Sequence, residues 1–421
     1  MQIKTTLIDG TLTVSNFKDL EKYLKKIDYK KIKEPDTITK IVIYDSKCDY
    51  KLENIGTLLR HNIMDKLTSI EIIHPDERFC AMNGLLYSKN KKKLYLCPRG
   101  RKGTLTIPDG TETICKLSCG YCRFQEVIIP DSVKRIEIFA FHNTSSLKQV
   151  IGGKNVEYIK PFAFCGCIRL TSFPFSSTLK NIGAEAFATT SLKKISLPEG
   201  LESVGHNAFD TICLMNGSIA AVQPEDMYVI HVPDSLKHIG YGAFANVSSI
   251  YTNHFSKKLV TACVRSGGLS HCHKCNVWRL TIGDNPEIIL PKTINQFNTV
   301  TQKINAFLKS KNSTPPELYT ESTNSTGLST AIEHCKLYPS VEVKKFITKN
   351  VRTILFNTML EKNGEQLMVD FIKSEVFTYT ALKKILAILV KSENPHSTAV
   401  LKAYILNTTN SKKKKKNSFN L

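Results

Sequence analysis

Leu192-Lys-Lys-Ile-Ser-Leu-Pro-Glu-Gly-Leu-Glu-Ser-Val-Gly-His-Asn-Ala-Phe209 is the clearest copy of a phrase that recurs about every 22–23 residues through the middle of this chain. Related stretches run from Val127-Ile-Ile-Pro130 to Ala140-Phe141, and from Val229-Ile-His-Val-Pro233 to Ala243-Phe244. A fixed period of this length predicts a solenoid, in which each unit is too small to bury its own apolar face and buries it against its neighbours. Phe141, Phe164, Phe187 and Phe209 follow one another at 23, 23 and 22 residues, with Phe244 after a longer gap. Ile114, Ile136, Ile159, Ile182, Val204 and Ile239 form a second series in the same steps. Side chains that recur once per coil stack along the solenoid axis at about 4.8 Å, one strand spacing. Both series are therefore expected in the core, each Phe contributing about 1.5–3 kcal/mol on burial.

The punctuation of the phrase is equally regular. Pro108, Pro130, Pro198 and Pro233 are expected to end short apolar strands, because proline cannot donate to a ladder hydrogen bond. Gly183, Gly205 and Gly240 each follow a ladder Ile or Val and are expected to allow a tight bend at positive φ.

An apolar strand, Pro, a short spacer, Val or Leu, two residues, Ile-Gly, two residues and Ala-Phe together resemble the BspA-like leucine-rich repeat. Ala163-Phe-Cys-Gly-Cys167 followed by Leu170 matches the way that family closes one coil and opens the next. Met82-Asn-Gly-Leu-Leu-Tyr-Ser-Lys-Asn-Lys-Lys-Lys-Leu-Tyr-Leu-Cys-Pro98 is similar to the β-hairpin that begins such arrays, and the chain then runs into Thr104-Leu-Thr-Ile-Pro108. The resemblance spans residues 75–250 or so. It implies a right-handed solenoid with a strand-lined binding face and no catalytic residues. Two places depart from it. Leu117-Ser-Cys-Gly-Tyr-Cys122 stands where Ala-Phe is expected, and about a dozen extra residues near Leu214 to Asp226 are expected to loop out. Loops on a rigid scaffold are common sites of specific contact.

The ends differ from the middle. In residues 1–75, Ser15-Asn16 can cap a helix to Lys31 with Phe17, Leu20, Tyr23, Leu24 and Ile27 on one face. Strands are expected over 37–44 and 67–73 and a helix over 55–66, together an α/β cap for the first coil. Residues 76–294 form the expected solenoid, with last strands at Trp278 to Ile282 and Ile288 to Pro291. Residues 295–327, rich in Ser, Thr, Asn and Pro from Ser310 to Gly327, read as a linker with a short helix. Residues 328–409 turn helical in period, with amphipathic helices over 341–362, 365–375, 378–391 and 395–406 capped by Thr378 and Ser397. The segment from Asn363 to Val390 resembles the ankyrin-like helical tail of some cytoplasmic bacterial leucine-rich repeat proteins, without the Thr-Pro-Leu-His phrase of true ankyrin repeats. The expected fold class is thus α+β, a leucine-rich repeat solenoid followed by an all-α helical-hairpin domain and a disordered basic tail over 410–421.

Composition bounds the function. The net charge of +21 divides into +10 on residues 296–421, from 19 Lys/Arg against 9 Asp/Glu, and +11 on the remainder. The excess is spread and dominated by Lys, apart from the run Lys412, Lys413, Lys414, Lys415 and Lys416. Such a run stays solvated or binds polyanions, nucleic acid or an anionic membrane, with strong salt dependence. No nucleic-acid recognition motif accompanies it. No apolar run reaches the length of a membrane span. The start lacks a secretory apolar stretch, and thirteen cysteines form no disulfide framework, so a cytoplasmic location is expected.

Cysteine also supplies the metal candidates. Cys115, Cys119 and Cys122 include one Cys-x-x-Cys inside a coil, where thiols serve as small apolar groups. Cys272-His-Lys-Cys275, with Cys263 and His271, reads as a reduced loop, and the alternative is a structural zinc site. The histidines show no phase with a Ser, Cys or carboxylate partner, and neither a Gly-x-Ser-x-Gly elbow nor a His-Glu-x-x-His helix occurs. No catalytic residue and no cofactor is expected. The reading that follows is a non-enzymatic scaffold holding a protein partner on the strand face. Lys193, Lys194 and Ser196 are the candidate contacts there, and a polyanion anchor at Lys412 to Lys416 is the alternative.

Overall fold

A computed structural model of the chain describes residues 5–26, 38–45, 65–75, 78–210, 228–263, 276–310, 314–322, 324–360, 364–391 and 399–418. It divides into two compact units, Met1–Cys213 with His231–Phe244, and Leu214–Ile230 with Ala245–Leu421. The cut falls after Phe244, ahead of the 294/295 boundary expected from the sequence.

The first unit opens with a four-stranded sheet. Thr6–Ile8 turns at Asp9-Gly10, both at positive φ, into the antiparallel strand Thr11–Val14. Lys40–Asp45 and Ser69–His74 then add in parallel. The helix Phe17–Lys26 covers it, and the Asn16 side chain accepts from Asp19 N at 3.0 Å, as the sequence predicts for a cap. Phe17, Leu20, Leu24, Ile41, Ile43 and Ile70 form the core of this cap. The expected helix over 55–66 lies almost wholly outside the described residues.

From Phe79 the unit becomes a solenoid. The antiparallel strands Phe79–Met82, Leu85–Ser88 and Lys93–Leu96 lead into a parallel ladder of two-residue strands: Thr113–Ile114, Arg135–Ile136, Tyr158–Ile159, Asn181–Ile182, Ser203–Val204 and His238–Ile239. The expected Ile/Val series occupies one register of this ladder, buried from Ile114 to Val204 and half-buried at Ile239. On the inside, Phe141, Phe164, Phe187 and Phe209 stack with ring centroids 4.8, 5.3 and 5.4 Å apart and planes within 6°. That is the one-strand spacing expected for side chains recurring once per coil. Phe244 continues the stack at 6.2 Å, tilted by 30°.

The glycine expectation is corrected. Gly183, Gly205 and Gly240 do not have positive φ; they are small because the coils touch there. A Cβ on Gly183 would lie 2.3 Å from Pro161 N, on Gly205 2.3 Å from Ala184 N, and on Gly240 2.3 Å from His206 N. The left-handed residue stands instead just before the Ala-Phe pair, at Phe139, Phe162, Glu185, Asn207 and Gly242, and at Leu117 before the Ser118-Cys119 that replaces it. Only one of these six is a glycine, so the coil supports the strain with backbone bonds such as Phe164 N to Ala186 O and Phe187 N to Ala208 O, both 2.8 Å.

In the second unit, Val247–Thr252 pairs in parallel with Val277–Ile282, which pairs antiparallel with Ile288–Pro291. Trp278 is fully buried, its indole donating to Pro291 O at 3.2 Å. Buried Lys292 reaches the carbonyls of Ala245, at 2.8 Å, and Val247. The helix Lys257–Cys263 lies between the first two of these strands, and helices follow the third at Phe297–Ser310, Asn324–Leu337, Val341–Lys349, Val351–Met359, Gly364–Lys373, Tyr379–Lys391 and Ala399–Ser418.

Three differences from the expected tail have physical reasons. The stretch read as a linker is packed: Leu318, Tyr319 and Glu321 are buried, and Lys303 on the helix Phe297–Ser310 bridges Glu321 at 2.7 Å. The single helix expected over 341–362 is two, because Asn350 leaves helical geometry at φ −102, ψ 13 and turns its side-chain amide onto Phe346 O. The last helix continues through Lys412 to Lys416, where repulsion predicted an unordered end. Lysine is a good helix former, and extension from a turn anchored by buried Leu401 and Ile405 avoids the cost of nucleation. Strands in the middle and helices after them make the chain α+β.

Candidate functional site

The outward face of the solenoid is built by strand alternation. Thr104–Thr106, Glu126–Ile129 and Gln149–Gly152 form a parallel three-stranded sheet. Leu105, Val127, Ile129 and Val150 point into the core. Thr104, Thr106, Gln149 and Ile151 are exposed, with Glu126 and Ile128 half-exposed. Ile151 is 38% exposed. The patch is mostly neutral and β-branched, a surface suited to packing another protein.

The next coil interrupts this face. Only an isolated bridge, Gln149 to Ser172, extends the sheet, and Phe173-Pro174-Phe175 follows in place of a strand. Pro174 cannot donate to a ladder. Phe173 and Phe175 turn their rings inward, edge-on to Phe187 at 4.9 and 5.4 Å. Beyond the gap, the strand Lys194–Ser196 presents Lys194 and Ser196 outward on either side of buried Ile195, with Lys193 also exposed. The three predicted contacts are thus accessible and share one coil, but they do not belong to the three-stranded sheet.

The other edge of the solenoid carries a feature the sequence reading missed. Two residues before each ladder position stand Lys92, Glu112, Lys134, Glu157, Lys180, Glu202 and Lys237, alternating in sign from coil to coil. Backbone bonds keep them in register, for example Glu157 N to Lys134 O and Lys180 N to Glu157 O, both 2.9 Å. Ion pairs close at 2.8 Å for Lys92–Glu112, 3.9 Å for Lys180–Glu157 and 3.8 Å for Lys237–Glu202. The Lys92 hydrogen bond first, with Lys92 and Lys134 charge behind it, holds the Glu112 carboxyl below its ordinary value. Exposed pairs of this kind stabilise little one by one, yet a shift of one coil would oppose like charges, so the row favours a single register. The fixed offset from the Ile/Val series makes it visible in retrospect. Lys180→Glu, which sets three acidic positions in consecutive coils, is expected to destabilise by up to about 1 kcal/mol at low salt. Thermal melts should show the deficit shrinking at about 1 M salt, where the screening length falls to about 3 Å.

The irregular coil resolves into packing. Cys119 takes the Phe position, fully buried, and Phe124 supplies the missing ring, edge-on to Phe141 at 6.4 Å. Burial pushes the Cys119 and Cys122 thiols well above the ordinary range and Cys115 to about 12. Cys167, also raised by burial, hydrogen-bonds Phe141 O at 3.2 Å. These thiols are protonated and act as small apolar groups.

Of the zinc set, Cys263 is fully buried, its thiol raised to about 12 by burial. Cys272, Cys275 and His271 lie outside the described residues, as does the expected loop from Leu214 to Asp226. No group of three or more His, Cys, Asp or Glu among the described residues is placed to hold a metal ion. His206 serves the coil, its Nδ1 accepting from Tyr241 N at 3.0 Å. No described helix is long and apolar enough to cross a membrane.

The BspA type leucine rich repeat region matches residues 103–221 and 225–302 in six copies, so the middle of the chain is a leucine-rich repeat array of the BspA type. Similar solved structures include the pneumococcal vaccine antigen PcpA (18% identity, 46% of this chain and 46% of that one, TM-score 0.35). A leucine-rich repeat protein from Eubacterium ventriosum is 22% identical over 50% of this chain and 59% of its own, with TM-score 0.36. A leucine-rich cell surface protein from Faecalibacterium prausnitzii is 20% identical over 55% and 56%, with TM-score 0.34. The chain thus spans about half the length of these proteins. No curated protein matches it significantly. Arrays of this type are in general non-catalytic and serve protein interaction or surface roles.

Proposed function

We propose that this chain is a non-enzymatic scaffold whose solenoid holds a protein partner on its strand face. The observation that carries the reading is the uncharged, β-branched outward row Thr104, Thr106, Ile128 and Ile151 on a sheet fixed by a stacked aromatic core. A rigid surface of this kind loses little entropy on association. We place the protein in the cytoplasm, a reading supported by nine described cysteines that are all unpaired, as expected in a reducing compartment.

Tagged full-length chain isolated from its native host at two salt concentrations tests this directly. Ile128→Glu with Ile151→Glu, and separately Lys193→Ala, Lys194→Ala and Ser196→Ala, should leave the fold intact. The first set is expected to weaken a salt-resistant protein partner at least about tenfold, since a buried unpaired carboxylate costs several kcal/mol. Undiminished capture by both sets would exclude the strand face. Recovery of nucleic acid or lipid alone, lost with salt and with deletion of 412–416, would replace the scaffold by the anchor.

A further inference from the structure

We infer that the helical part of the second unit carries a separate docking groove for an acidic amphipathic peptide, lined by four lysines. The groove is a shallow, open depression of about 580 Å3 between the helices Val341–Lys349 and Tyr379–Lys391, lined by Lys344, Lys345, Lys349 and Lys384 with Val341 and three threonines. That volume is within the range of about 300–1,000 Å3 typical of ligand sites.

Its charge is one-sided. The lining has four ammonium groups and no carboxylate, and among the described residues none of the four lysines has an ion pair. Lys345 and Lys349 are four apart on one helix, an arrangement that destabilises an isolated helix by a few tenths of a kcal/mol. Three cations elsewhere in the same unit are paired, Arg279 with Glu287 and Glu333, Lys303 with Glu321, and Lys336 with Glu333, while others such as Lys309 and Lys373 stand exposed and apart; the groove differs in gathering four unpaired lysines around one concavity. An anionic occupant would complete what these partners complete at the other sites.

The floor is rigid and largely apolar. Thr348 and Thr378 hydroxyls share a hydrogen bond at 2.9 Å, Thr348 donates to Lys344 O at 2.7 Å, and Thr378 accepts from Ala381 N at 3.1 Å. Their polar atoms are thereby engaged across the two helices, and the surface that lines the groove is mainly carbon. At its rim Val341 is 62% exposed on the first turn of its helix, an apolar anchor point beside the lysines.

An apolar floor with a cationic rim fits a helix-in-groove partner that offers an apolar row edged by Asp or Glu. Nucleic acid fits less well, since the lining has neither an aromatic ring for stacking nor an arginine fork. A bilayer engages convex amphipathic faces, whereas these lysines converge from two helices on a concavity. The site is independent of the strand face, and either can fail without the other.

The test uses the full-length chain and a fluorescent helical peptide of alternating Leu and Glu blocks, with a Gln-for-Glu peptide as control. Lys345→Glu with Lys384→Glu is expected to weaken binding of the acidic peptide at least tenfold. Lys309→Glu with Lys373→Glu, the same charge change at exposed positions outside the groove, should change it less than twofold. The milder pair Lys345→Gln with Lys384→Gln should lie between, and melting curves confirm folding. Equal losses for both Glu pairs would mean diffuse attraction and overturn the proposal, as would unchanged binding in the groove pair. So would equally tight, equally groove-dependent binding of vesicles of one part phosphatidylserine to three of phosphatidylcholine, or of the Gln peptide.

Discussion

Phe187→Ala is expected to lower the stability of the first unit by about 3–5 kcal/mol, the range for deleting a fully buried aromatic ring. Phe187 is the most enclosed member of the stack. It lies flat against Phe164 at 5.3 Å and Phe209 at 5.4 Å, and Phe173 and Phe175 meet it edge-on at 4.9 and 5.4 Å. Four rings would face the void, and none can follow the lost side chain without leaving its own neighbours. Because each coil is stabilised mainly by the coils beside it, a void in the middle weakens two interfaces at once. Phe139→Ala serves as the comparison: Phe139 also stacks, on Phe162 at 4.8 Å, but it is half-exposed on the coil surface. It should cost about 1 kcal/mol. Urea unfolding followed by circular dichroism separates the two, and a Phe187→Ala midpoint close to that of Phe139→Ala would show that the stack is not the seat of stability.

The same contrast explains how much of the fold was legible in the sequence. Residues that pack once per coil recur at one phase, so Phe141 to Phe209 and Ile114 to Val204 could be placed inside from spacing alone. Features that depend on how one coil meets the next could not. Gly183, Gly205 and Gly240 repeat in phase, and recurrence alone does not tell a positive-φ requirement from a close approach. Phe173 and Phe175 break the phase, so nothing in the spacing announced that their rings would turn inward. From Val341 onward the helices were legible by period, whereas Asn324–Leu337 begins inside a Ser- and Thr-rich stretch that reads as a loop, and the break at Asn350 reflects a local side-chain bond that a smooth amphipathic pattern hides.

For the binding surfaces the reach of the sequence was shorter. Their position between the ladder residues placed Lys193, Lys194 and Ser196 on the surface, yet the neutral row from Thr104 to Ile151 becomes a surface only when three coils are laid side by side. The Lys/Glu row was present at a fixed offset from the Ile/Val series and needed only to be read across coils. The lysine groove was not readable at all, because Lys345 and Lys384 lie on separate helices and nothing in their spacing implies that these helices pack together.

Gly205→Ala is expected to destabilise the array by about 3 kcal/mol, at the upper end for an added methyl in a packed site. The new Cβ would lie 2.3 Å from Ala184 N and 2.7 Å from both Ala184 Cα and Gly183 C. All three are main-chain atoms of the preceding coil, so no side chain can swing aside to relieve the clash. The coils must separate instead, stretching the bond from Gly205 N to Ile182 O, now 2.8 Å, and disturbing the pairing of Val204 with Ile182. Gly200→Ala isolates the other role of glycine, since Gly200 has φ +94 with Ser177 O as the nearest neighbour, 3.9 Å from an added Cβ. Its cost is conformational, about 1–2 kcal/mol, and leaves the coil spacing alone. Gly205 closes the coil that carries Lys194–Ser196, so its replacement should also reduce partner capture, whereas Gly200→Ala should lower the melting temperature with capture unchanged at temperatures where it is folded. Equal stability losses for the two would mean that neighbouring coils separate cheaply, and the strand face would then be a compliant surface rather than a fixed one.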